Sequence, residues 1–375
     1  DNVGVGANAL DANTTGSDNT AIGDNALGAV STGSNNTAVG TSALLANTGG
    51  GNTAVGAYSL DANTADDNTA VGRNALTANT TAAGNTAVGS YSGEAVTTGA
   101  NNTFLGHKAG RVITTGASNV AIGVEALDAS NANNNTAMGY AALGANTTGA
   151  SQVAIGAYAL DANTTGETNV AIGYAALGAN TTADDNVAVG GAALGANTTG
   201  TDNVAVGSYA LDANTTGTDN TALGDNALGA NTTASYNTAV GSSALLVNTT
   251  GAENVAMGWN ALDANTTASY NTALGSSALG ANTTGANNTA VGREALSANT
   301  TGIHNTSLGK GAMLANTTGQ ENVAVGSESL DANTTGNYNV AVGGAALTAN
   351  TTAAGNTALG YAAMAANTTG ANNVA

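Results

Sequence analysis

The chain has 375 residues, with 24 acidic side chains against five basic ones, a net charge of −19, no Cys and no Pro. One Trp, one Phe and ten Tyr are too few for a wide hydrophobic centre, and the lack of Cys excludes a disulfide framework. The charge disfavours phosphate backbones and anionic headgroups, so neither nucleic acid nor a membrane surface is an expected partner.

From the first residues the chain is a repeat. It opens at "DNVGVG" and stops at "NNVA", both inside its own motif. It therefore reads as one continuous array over residues 1–375, an excerpt of a longer chain whose export signal or anchor would lie elsewhere. The Asn or Gln that opens each unit recurs at 2, 19, 36, 52, 68, 85, 102, 119, 135 and 152, then from 169 to 373 in steps of seventeen. That makes 22 full repeats. The steps ending at Asn52, Asn68 and Asn135 are one residue short, and each deletion falls in a variable turn.

Within a unit, the opening Asn is counted as position zero. Thr or Val at position one, Ala at position two and Val, Ile, Leu or Met at position three alternate with period two, which predicts a strand. Gly at position four in every full repeat predicts a corner with positive φ or a close backbone neighbour. A second segment, A-L-x-A-N-T-T, is expected to return as another short strand. Stacking such coils in parallel gives an all-β solenoid or β-roll of about 22 seventeen-residue coils. Like residues then lie ~4.8 Å apart, so Asn203, Ala205, Val206, Gly207, Leu211 and Asn214 are ladder positions, structural rather than reactive. The Ala row, including Ala21, Ala171, Ala205 and Ala239, reads as a stripe on the face opposite Val, Ile and Leu. A homotrimer packed around that stripe would cover it.

Residues 85–134 break the rhythm. Leu at position eight becomes Gly93 and Gly110, Asn at position eleven becomes Val96 and Ile113, and Phe104 replaces the small Ala. Bulk is relocated rather than lost. Phe104, His107, Lys108 and Arg111 share one coil and form the candidate contact patch on an otherwise acidic surface. Tyrosines such as Tyr58, Tyr158, Tyr174 and Tyr209 fall in turns, where exposure is expected.

No catalytic, cofactor or metal site is expected. His107 and His304 stand a dozen coils apart, "LGKG" and "VGVG" lack phosphate-loop or dinucleotide spacing, and Asp at position nine does not form the regular ladder of a calcium roll. "NTT" at position eleven matches the glycosylation sequon, yet an Asn held in a ladder could not carry a glycan.

"NTAVGREA", "NVAIGYAA" and "NVAVGSYA" resemble the N-S-V-A-I-G-x-x-S/A signature of YadA-like heads in trimeric autotransporter adhesins, and the seventeen-residue form is similar to repeats of phage tail-fibre proteins. The likeness spans essentially the whole chain, with Thr where Ser is common, a longer unit and no neck or coiled-coil stalk. It implies a left-handed parallel β-roll, assembled as a trimer, that projects from a cell or virion surface and attaches to a host glycan or matrix protein. The alternative expectation is an extracellular filament or spacer with no ligand site of its own. A third, ice binding by Thr rows, is weakened because adjacent Thr residues should point in opposite directions.

Overall fold

The computed structural model describes residues 1–375. The chain forms two compact units, residues 1–186 and 187–375. Each is a parallel β-solenoid with one three-residue strand per coil, from β1 (Val3–Val5) to β11 (Val170–Ile172) in the first and from β12 (Val187–Val189) to β22 (Thr357–Leu359) in the second. Equivalent residues pair across coils, as in Ala154 with Ala171 and Ala205 with Ala222. The sixteen-residue coils keep this register, pairing Thr37 with Thr53 and Val120 with Thr136. A deletion in a turn therefore leaves the strands undisturbed.

The strand alternation divides inside from outside, but in the reverse of the expected sense. Ala21, Ala171 and Ala205 are fully buried within their own solenoid, whereas Ile22 is 42% exposed and Val204 and Ile172 are 37% exposed. The Ala row is thus private core and is not available to line a trimer axis. The reason is thickness. A methyl at Gly4, the position-two residue of the first coil, would stand 3.4 Å from the Ala9 carbonyl and 3.5 Å from Leu10 Cδ1 of the same coil. Leu at position eight and Ala at position seven fill the space above the strand, leaving room for little more than one carbon. The row left facing outward is Val, Ile, Leu or Met at position three, with Thr or Val at position one.

The expected second strand is absent because the returning segment is not extended. Positions six and eight are left-handed, with φ of 54° at Tyr209 and 52° at Leu211. For an L residue this conformation costs about 1–2 kcal/mol. At position eight, burying the Leu side chain offsets it with about 1.5–3 kcal/mol. The segment still bonds to the next coil, through Leu211 N–H to the Ala227 carbonyl at 3.0 Å and Ala213 N–H to the Gly229 carbonyl at 3.2 Å.

Both expectations for the position-four glycine hold. Its φ lies between 129° and 142° throughout, and a Cβ on Gly207 would sit 2.3 Å from the Gly224 carbonyl oxygen. Any side chain there would push successive coils apart.

Two Asn ladders run through the interior. At position eleven, Asn214 Nδ2 donates to Asn197 Oδ1 at 2.9 Å and to the Gly217 carbonyl at 3.0 Å. At position zero, Asn220 donates its backbone N–H and its Nδ2 to Asn203 Oδ1, both at 3.1 Å, and Nδ2 also reaches the Ala234 carbonyl at 2.9 Å. These amides satisfy turn carbonyls that would otherwise be stranded in the core. Position-eleven Asn residues, fully buried at Asn163, Asn214 and Asn282, are closed to glycosylation in the folded coil.

Candidate functional site

The irregular coils belong to the first unit. Phe104 lies at the centre of β7 (Thr103–Leu105), pointing inward like the Ala it replaces, and is fully buried. Its ring occupies the volume vacated by two leucines: a Cβ on Gly93 would come within 2.8 Å of Phe104 Cδ2, and one on Gly110 within 2.3 Å of Cε1. Phe104 therefore cannot contact a partner, and it leaves the proposed patch. Val96 and Ile113 are likewise buried and interrupt the position-eleven ladder. The amide that Asn79 Oδ1 would accept from is missing at Val96, and that oxygen has no hydrogen-bond partner. The ladder resumes at Ser130, whose Oγ accepts from Asn146 Nδ2 at 3.0 Å.

The other three patch residues do come together on the surface, each tied to a neighbouring coil. Arg111 makes a forked pair with Asp128 at 3.3 and 3.2 Å, and Lys108 Nζ lies 3.3 Å from Glu125 Oε1. His107 is exposed, with its ring edge-on to Tyr91 at a centroid distance of 6.3 Å. Arg73 covers Tyr91 from the other side, 4.7 Å from the ring centre. The sequence pattern did not single out Arg73 or Tyr91; stacking of consecutive coils brings them to the site. Ion pairs this exposed contribute about 0–1 kcal/mol each. Three of the five basic side chains are gathered here, and two of them are neutralised by the next coil.

A second cluster lies further along the same unit. Tyr140, Tyr158 and Tyr174 stand on three consecutive coils, with ring centroids 5.3 and 6.1 Å apart and interplanar angles of 77° and 88°. All three remain exposed, at 47%, 38% and 66%. Partial desolvation, followed by the neighbouring Tyr140, Tyr174 and Asp161, holds the Tyr158 hydroxyl above the usual phenol range.

Five of the position-nine aspartates share one environment. At Asp161, Asp212, Asp263 and Asp331, burial raises the carboxyl above its ordinary value, partly opposed by backbone N–H groups. Asp61 is raised by burial alone. In the second unit, His304 and Glu321 line an open depression on adjacent coils. No group of three or more His, Asp or Glu side chains is arranged to hold a metal ion.

The Thr pair lies in the returning segment, which forms no strand, so strand alternation does not govern it. Thr215 at position twelve is half-buried and donates its hydroxyl to the Thr232 carbonyl at 3.0 Å, whereas Thr216 at position thirteen is exposed. In other coils both are exposed, as at Thr147 and Thr148. No protein-family model matches the chain, and no curated protein matches it.

Proposed function

We propose that the chain is a non-catalytic segment of an adhesive fibre, a homotrimer of β-solenoids that projects from a cell or virion surface and attaches through side chains carried on its turns. The observation that carries this reading is the outward strand row. Leu105, Leu223 and Leu308 are each 47% exposed and Met257 is 45% exposed, on coils whose strands repeat in register. An apolar row of this regularity is costly in water and suits self-association. It takes the interface role that the buried Ala row cannot. Attachment then rests on many weak contacts repeated on three chains, with avidity in place of a single deep site.

The test is to coat beads with residues 1–375 and measure retention on host-cell and matrix-coated surfaces. Saturable retention that weakens when soluble protein competes supports adhesion. A stable assembly that is not retained on any surface favours the second reading, a structural filament, for which the exposed strand row is equally apt.

A further inference from the structure

Position six is left-handed in every coil, and it holds Tyr at 58, 91, 158 and 209 as well as Asn, which suits it, and Ser or Ala. Tyr158 holds this conformation at φ 59°. Leu160, two residues on, bears the same strain but is fully buried, so the core compensates it. Tyr158 gains no such burial. It gains instead two aromatic neighbours, one from each adjacent coil, which reach it because Tyr140 and Tyr174 sit at position five rather than six.

The row has the chemistry of one ligand class. Ring centroids 5.3 and 6.1 Å apart on successive coils present about one aromatic per ring of an extended β-linked glycan. Their alternating orientation offers faces and edges to sugar C–H groups, with hydroxyls at the rim. The Asp161 carboxylate, half-buried three residues from Tyr158, supplies an acceptor for sugar hydroxyls. Charge narrows the class further. No basic side chain lies on the coils that carry the row, and the net charge of −19 repels sulfated or uronic-acid sugars.

We propose that Tyr140, Tyr158 and Tyr174, with Asp161, form a binding platform for an uncharged, extended β-linked oligosaccharide. This rests on the adhesive reading above and names its ligand class. Tyr209, an exposed tyrosine at the same left-handed position but without an aromatic contact of this kind, is the built-in control.

The experiment is calorimetric titration of the full chain with cellohexaose and chitohexaose, beside a hexamer of galacturonic acid. The expected result is weak binding of at least one neutral hexamer and none of the acidic one. Tyr158→Ala should lower the affinity at least tenfold, Asp161→Asn should lower it by a smaller factor, and Tyr209→Ala should leave it unchanged. Because these side chains are surface groups, an unchanged melting temperature verifies folding. Failure of both neutral hexamers to bind, or binding indifferent to Tyr158→Ala, overturns the platform. So does retention on cell surfaces that Tyr158→Ala abolishes but enzymatic deglycosylation leaves intact, since the row would then recognise protein. If Tyr158→Ala beads are retained as well as the original ones, adhesion stands and the platform falls. If neither is retained on any surface, the adhesive reading fails as well.

Discussion

The regular coil around Leu211 and the irregular one around Phe104 enclose the same kind of interior by opposite means. In the regular coil the strand contributes a methyl, Ala205, and the returning segment contributes a leucine held in left-handed backbone. In the irregular coils one strand contributes a phenyl ring, and two successive returning segments contribute glycines, which adopt φ of 59° and 60° without strain. The fold conserves filled volume across two neighbouring coils; it does not require each coil to fill its own. Polar satisfaction is less forgiving. The Leu-to-Phe exchange closes without a gap, but the accompanying Val96 leaves Asn79 Oδ1 without a donor.

The largest effect expected from breaking this comparison is at the ring. Phe104→Ala empties a site that no leucine fills, and should cost about 3–5 kcal/mol, read as a fall in the denaturation midpoint. Adding Gly93→Leu and Gly110→Leu to that variant should recover most of the loss, because the three changes together rewrite the region as regular coil. Gly110→Leu alone should be destabilising, since its Cβ meets the ring at 2.3 Å. Additive behaviour of the three substitutions would contradict the volume exchange.

A smaller effect should sharpen the polar side. Val96→Asn with Ile113→Asn would extend the ladder from Asn79 to Ser130 and supply the missing donor. An unsatisfied buried group costs about 1–3 kcal/mol. Part of the gain is lost with the aliphatic surface, so a net stabilisation on the order of 1 kcal/mol is expected, measured by chemical denaturation.

How much of this was legible in the sequence depends on whether a feature recurs as identity. Coil length, the glycine corner and both Asn ladders could be read, because a stacked array places each residue on its own copy and selects the same type at every level. The ladder residues Asn203, Gly207, Leu211 and Asn214 sit as that logic requires. Which face of the strand lies inside was not legible. Thr-Ala-Val marks two faces, and the ordinary preference buries the larger residues; here a leucine from the opposite wall leaves room only for Ala. Leucine in left-handed backbone has no sequence signature either, since propensity argues against it, and so the second strand was expected where none forms. Phe104 was misplaced onto the surface by its basic neighbours, although the glycines at 93 and 110 already pointed to relocated bulk.

The smallest effect concerns charge. The carboxyls of Asp161, Asp212, Asp263 and Asp331 are raised above 3.8 in the folded chain by burial. A raised folded value means that the stability linked to protonation is complete below the unfolded value and is lost as pH rises through the folded one. Melting temperature should therefore increase modestly as pH falls from 7 toward 4. Replacing all four with Asn should flatten that dependence and raise the melting temperature at pH 7. A melting temperature that falls with acidification would contradict the assignment.

The central claim is that the strand turns Ala inward to its own core and its aliphatic row outward to other copies of the chain. Sedimentation equilibrium of the unmodified chain and of Leu223→Glu tests it most directly, with Ala222→Glu in parallel, because the two substitutions are adjacent on one strand and face opposite ways. The account predicts a trimer for the unmodified chain, a folded monomer for Leu223→Glu, and loss of the folded coil for Ala222→Glu. A stable monomer for the unmodified chain, or a trimer indifferent to Leu223→Glu, would contradict it.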